Sequence, residues 1–299
     1  TAEKREERTS MRFGVPLGLV HPGIWRDLAV EADRLGFDSV WIPEHLVFTT
    51  DLSTANYPGT GEPGIAPHTP LYDAPAYLCA LAAVTSRIRL GTAVHLFGLR
   101  HPVASARAFA TLDQISGGRA IVGIGAGWYE GEWIAAGLDF RSRGRRLDEA
   151  VAVARRLWTE NVVEHHGEFY DFPEVAFEPK PVQDPLPVVV GGESDAALRR
   201  AARHDGWISM PQTIEAAASR LERLRRHREE AGRADLPFEV TVHAYELSGP
   251  GEVADWAALG VDRLIVRPWR RTREALPALR EFAAAHGLAD GTGRRVVSP

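Results

Sequence analysis

Leu186-Pro187-Val188-Val189-Val190-Gly191-Gly192-Glu193-Ser194 is the stretch whose reading decides the fold. Three consecutive valines make a short run that is apolar on both faces, the pattern of a strand covered on each side rather than washed on one. The run breaks at two glycines, and Ser194 stands where a helix over 195–203 would take its N-cap. A buried strand, a tight turn and a helix make half of a βαβ unit, so the question becomes how many such units the chain holds.

Working outward, the same alternation recurs. Strands are expected at Arg12–Leu17, Ser39–Ile42, Ile88–Val94, Ala120–Ile124, Leu186–Val190, Gly206–Ser209, Phe238–His243 and Arg263–Val266. Helical patterns lie between and after them, over 23–35, 74–86, 103–115, 144–158, 195–203, 214–231, 251–259 and 272–286. Eight units joined by right-handed crossovers close a barrel, so the fold class is α/β, a parallel (β/α)8 TIM barrel. An open doubly wound sheet would carry a glycine fingerprint at its first turn, and Gly14, Gly18 and Gly23 do not have that spacing. One domain is expected over 11–290, with insertions at about 47–71 and 161–187, a frayed or tag-like extension over 1–10 and a tail over 291–299.

Composition narrows the function. Hydrophobic residues make up 44% of the 299 and charged residues 25%, enough for a sizeable core. A net charge of -5 offers no global attraction to a polyanion, so nucleic acid is not an expected partner. Arg223, Arg225, Arg226 and Arg228 interleave with Glu222, Glu229 and Glu230, as on a solvated helix face. Cys79 is the only cysteine, which excludes an internal disulfide and a cysteine-ligated metal; the histidines are scattered, so no metal site is expected. No apolar run reaches the roughly 18 residues of a membrane span, and no signal peptide opens the chain, so a cytoplasmic protein without membrane contact is expected.

Three clusters at strand ends carry chemistry. Gly191, Gly192 and Ser194 can bring backbone amides close to an anion, or form a plain turn with a helix cap. Gly123-Ile124-Gly125-Ala126-Gly127-Trp128 ends the fourth strand; close backbone packing beneath a flat ring explains it better than a dinucleotide turn. Glu44-His45 follows the second strand, where an imidazole suits proton transfer and a neighbouring carboxylate can tune its tautomer. His95 and His101 flank the third strand's end and suit either a pocket or a structural role.

These residues together resemble the luciferase-like monooxygenase superfamily. The resemblance rests on Phe37-Asp38-Ser39-Val40-Trp41 with Glu44-His45, Arg89-Leu90-Gly91-Thr92-Ala93-Val94, Arg100-His101-Pro102 and Thr111 through Arg119. It continues through the Gly123–Trp128 cluster, Pro179 through Pro187 and Gly191-Gly192. It implies a bacterial-luciferase-like barrel, a homodimer, and binding of coenzyme F420, with flavin mononucleotide as the alternative. The motifs are closest to the deazaflavin branch, where a non-prolyl cis peptide, here Ala93-Val94, backs the ring. On this likeness His45 and Glu44 are catalytic. Ala93, Val94, Gly127, Trp128, Gly191, Gly192, Glu193 and Ser194 bind the cofactor, the last loop through its phosphate. Glucose-6-phosphate dehydrogenases of this branch carry a catalytic glutamate where this chain has Trp128, so the implied reaction is hydride transfer between deazaflavin C5 and another small organic substrate. The rivals are a flavin monooxygenase fed by a separate reductase and a non-catalytic cofactor-binding barrel.

Overall fold

Strands covered on both faces should be buried at every position, and several here are. Ser39–Ile42 and Ala120–Ile124 are buried throughout, as are Gly206–Ile208 and Arg263–Ile265. The computed structural model describes residues 11–52, 55, 57, 65–247 and 249–288. The expected extension at 1–10 and tail at 291–299 lie outside the described residues, as does much of the 47–71 insertion.

Ten strands are described: β1 (Arg12–Pro16), β2 (Ser39–Ile42), β3 (Arg89–Thr92), β4 (Ala120–Ile124), β5 (Val162–His166), β6 (Asp171–Ala176), β7 (Val188–Gly191), β8 (Gly206–Ile208), β9 (Glu239–His243) and β10 (Arg263–Ile265). Eight of them form a closed parallel barrel in the order β1-β2-β3-β4-β7-β8-β9-β10, with β10 pairing back onto β1. The described helices are α1 (Trp25–Arg34), α2 (Ala74–Ala82), α3 (Pro102–Ser116), α4 (Glu130–Ala135), α5 (Arg143–Thr159), α6 (Asp195–Ala201), α7 (Ile214–Glu230), α8 (Pro250–Ala258) and α9 (Ala275–Ala285). Among the described residues no helix is long and apolar enough to cross a membrane.

By contact density the chain divides into two compact units. The first holds the residues up to Trp41, Arg87–Arg89 and those from Val189 onward. Within it the fully buried Arg263 opens β10 and pairs with Asp38 and with Glu239 at the start of β9. Arg12, which opens β1, reaches Glu239 at 2.8 Å. The N-terminal ends of these strands are thus tied by alternating charges. Arg228, read in the sequence as part of a solvated face, is buried on α7 and donates to the carbonyls of Arg233, Ala234 and Leu236. A guanidinium carries enough donors to cap a chain reversal in this way, and helical spacing alone does not reveal it.

The second unit holds Ile42–Ser86 and Leu90–Val188. Here Asp113, at the inner face of α3, accepts from Gln183 N at 2.8 Å and Gln183 Nε2 at 2.7 Å. This explains why both residues belong to the motifs quoted above: they fasten a long connection. The 161–187 insertion contains an antiparallel hairpin, β5 with β6. Glu149 on α5 pins its tip by accepting from Tyr170 N at 2.9 Å and meeting His165 Nε2 at 3.0 Å. Short polar strands that alternate with exposed positions gave too weak a period to be recognised from sequence.

Candidate active site

The second strand ends at Ile42, and the chain turns through Pro43 to Glu44 and His45. The Glu44 side chain is fully buried, so its charge needs partners. It accepts from Leu96 N at 3.0 Å and takes both terminal nitrogens of Arg100, at 3.0 and 2.8 Å. His95 Nδ1 lies 2.7 Å away, while its Nε2 meets Ser105 Oγ at 3.0 Å. Burial pushes the Glu44 carboxyl up, but His95, Arg100 and the Leu96 amide outweigh it and hold the group at about 2. Glu44 therefore stitches the end of β2 to the segment after β3, and His95 belongs to that structural set.

The carboxylate beside His45 is another one. Glu132 on α4 has no exposed side-chain surface; its Oε1 lies 3.0 Å from His45 Nδ1, and its Oε2 accepts from Leu46 N at 3.1 Å. An ionised carboxylate only accepts, so it favours the tautomer with hydrogen on Nδ1. His45 Nε2 makes no hydrogen bond among the described residues. The expected pairing of Glu44 with His45 is thus replaced by one with a residue 87 positions on. Adjacent side chains leaving a strand point apart, which is why sequence neighbours do not meet here.

Rings surround the imidazole. Phe48 lies 4.7 Å from it and Trp128 meets it edge-on at 5.4 Å. Tyr57 stands edge-on to Trp128 at 5.0 Å, and Tyr129, packed against Phe48 and Trp128, shares its hydroxyl with Thr49. One protonatable ring nitrogen thus sits in an aromatic wall at the C-terminal ends of β2 and β4, the end at which parallel barrels carry their chemistry.

The Ala93-Val94 peptide is cis, the bond to which the resemblance pointed. The glycines after β4 serve this segment. A Cβ on Gly123 would overlap the Thr92 carbonyl oxygen, and one on Gly125 would press on Val94 Cγ2. Close approach to the end of the third strand and to Val94 accounts for Gly123 and Gly125 within the protein itself. Gly127 differs: with φ at 81° it turns the chain toward α4 just before Trp128.

The loop after β7 is a separate local construction. Gly192 has φ 113°, a conformation that L side chains rarely adopt. Ser194 caps α6 by accepting from Ala197 N at 3.2 Å. The amides of Gly192 and Ser194 find no acceptor among the described residues, which is what a phosphate-binding turn requires. Glu193 does not join them as a donor. Its carboxylate accepts from Met210 N at 2.5 Å, and burial raises its pKa. It ties this loop to the segment after β8.

The sequence singled out His45, Trp128, the Ala93-Val94 bond and the Gly191–Ser194 loop, and of these the Ala93-Val94 bond is cis as expected. Sequence reading missed Glu132, Tyr57 and His243. The last ends β9, is buried, and bonds through Nδ1 to the Ser209 carbonyl. Burial pushes its imidazole down to about 4, so it is neutral. Its position at the end of a barrel strand was the available signal.

Comparisons agree with this construction. A family profile described as luciferase-like monooxygenase matches residues 20–254. An uncharacterized protein of Mycobacterium tuberculosis is 35% identical over 244 residues, covering 80% of this chain and 82% of its own. An F420-dependent glucose-6-phosphate dehydrogenase of Kineococcus radiotolerans is 38% identical over 192 residues, which is 62% of this chain and 52% of the dehydrogenase. The crystal structure of monooxygenase RslO1 from Streptomyces bottropensis shares the fold, with a TM-score of 0.72 over 92% of this chain and 98% of that one, at 24% identity. With the profile spanning most of the barrel, the chain belongs to the luciferase-like monooxygenase family of oxidoreductases.

Proposed function

We propose that this chain is a coenzyme F420-dependent oxidoreductase that moves a hydride between deazaflavin C5 and a small organic substrate. The observation that carries the reading is the His45–Glu132 pair set in the Phe48, Tyr57 and Trp128 wall. The similarity to F420-dependent glucose-6-phosphate dehydrogenases supports deazaflavin over flavin.

The residues present suit such a cofactor on two local counts. The Gly191–Ser194 turn would hold a phosphate on the unpaired amides of Gly192 and Ser194. Ala93, Val94, Gly127 and Trp128 would hold the ring. When bound, a deazaflavin supplies a two-electron acceptor or donor. His45 takes or gives the accompanying proton at Nε2, Glu132 keeps the other ring nitrogen protonated, and the aromatic wall excludes water from the transfer. We read the chain as a homodimer, in line with the resemblance.

The same turn and wall suit flavin mononucleotide in a two-component monooxygenase, and the monooxygenase fold neighbour supports that second reading. Anaerobic incubation with oxidised F420 and a panel of small alcohols, followed by loss of deazaflavin absorbance, separates the two. Bleaching without oxygen supports the proposal. Activity that requires air and reduced flavin supports the monooxygenase, and binding without turnover supports a non-catalytic barrel.

A further inference from the structure

We propose that Arg267 is the seat for an oxyanion, a carboxylate or a phosphate ester, carried by the substrate; this rests on the oxidoreductase reading above and names the chemical class of its substrate. Arg267 follows β10 by two residues, at the C-terminal end of that strand. Its guanidinium carbon lies 5.2 Å from the centre of the Tyr245 ring, and its backbone N–H donates to the Tyr245 carbonyl at 3.2 Å. The ring and the backbone bond hold the side chain in place, and neither neutralises it.

Its Nε is buried without a hydrogen-bond partner, and among the described residues no carboxylate pairs with the guanidinium. The contrast with the start of the strand it follows is sharp. Arg263, four residues earlier, is fully buried and satisfied by Asp38 and Glu239. Carboxylates are not lacking near Tyr245 either: the cleft of about 370 Å³ that Tyr245 lines with His243 also takes in Glu215, Glu246 and Glu252. None of them pairs with Arg267 among the described residues. Trp269, two residues on, is also buried, and its indole N–H has no partner among the described residues. Two orphan groups two residues apart in sequence, both able only to donate, ask for a ligand that accepts, and a guanidinium edge asks for a planar or tetrahedral oxyanion.

This seat is distinct from the cofactor's phosphate turn. The Gly191–Ser194 loop follows β7, and β8 and β9 stand between β7 and β10 in the barrel order. Three strand steps of about 4.8 Å place the two strand ends roughly 14 Å apart, too far for one phosphate to serve both.

The test is arginine modification by phenylglyoxal, mapped by mass spectrometry on the protein with F420 bound. Inorganic phosphate and acetate are added in separate arms. The proposal expects Arg267 to be modified in the absence of added anion and protected by at least one of the two; the protecting anion tells phosphate esters from carboxylates. Calorimetry adds a second readout: Arg267→Gln should weaken binding of the protecting anion by roughly tenfold or more, with Arg267→Lys intermediate. An unreactive Arg267, protection by neither anion, or unchanged affinity in Arg267→Gln overturns the proposal. If F420 and flavin mononucleotide both fail to bind, the modification is run on the free protein. Protection there upholds the seat although the oxidoreductase reading has fallen, whereas cofactor binding with no protection removes the seat alone.

Discussion

His45 Nδ1 and Glu132 Oε1 lie 3.0 Å apart, and the carboxylate has no exposed side-chain surface. A buried acceptor facing one ring nitrogen decides which nitrogen carries hydrogen and leaves the other for chemistry. The neighbouring Glu44 does different work, anchoring Arg100, His95 and the Leu96 amide. Two carboxylates near one histidine thus divide into a positioner and a structural tie.

Glu132→Gln should disturb the tautomer of His45 without emptying the space. An amide can turn its NH2 toward Nδ1, which then favours hydrogen on Nε2. The ¹⁵N spectrum of the imidazole should report this exchange, and turnover should fall by about tenfold or more. An unchanged ring spectrum would mean that Glu132 only packs.

His45→Ala should lower turnover by roughly 10²–10⁴, the range for lost acid–base catalysis. Cofactor affinity should change far less. If affinity collapses while saturated turnover survives, the imidazole is a ring support and not a proton carrier.

The charges at the base of β9 and β10 make an acid-sensitive tie. Burial pushes the Glu239 carboxyl up, and Arg263 with Arg12 and Arg89 reverses this, holding it at about 2 against an ordinary 4.5. Glu44 is held at about 2 as well. Both groups are depressed on folding, so their stabilisation is fully present above about pH 5 and is lost as pH falls toward 2. Urea midpoints measured from pH 7 to pH 3 should drop along this limb. Arg263→Leu, which takes the buried guanidinium from Asp38 and leaves Glu239 with only Arg12 and Arg89, should cost about 3–5 kcal/mol at pH 7. A cost under about 1 kcal/mol would show the network to be dispensable.

The barrel was legible because its strands are short β-branched runs buried on both faces, and β2 and β4 fall at the expected residues. The hairpin β5–β6 was not, since Val162–His166 buries only Val163 and leaves Val162, Glu164 and His166 exposed. The candidate site stood out where a polar residue or a glycine pair follows a strand, as with His45 and Gly191–Ser194. Glu132 escaped because its role depends on α4 folding back to the end of β2, a relation that no local pattern encodes. Arg267 escaped because nothing in Val266-Arg267-Pro268-Trp269 says that the arginine lacks a partner.

The glycines after β4 offer a packing test. Gly123→Ala would set a methyl against the Thr92 carbonyl, and Gly125→Ala would set one against the Val94 side chain. Gly123→Ala should fail to give soluble protein. Gly125→Ala should fold with a loss of about 1–3 kcal/mol, because a side chain can yield where a backbone cannot. Gly251→Ala, with open space around it on α8, is the control and should melt at or above the wild-type temperature. Equal melting of all three variants would remove the close-approach explanation.

The most direct test of the central claim is a fluorescence titration of the purified protein with coenzyme F420 and, separately, with flavin mononucleotide. The account predicts saturable binding of F420 that is tighter than that of flavin mononucleotide, and weakened by Gly192→Ala in the phosphate turn. Equal affinity for the two, or tighter binding of flavin mononucleotide, would contradict it.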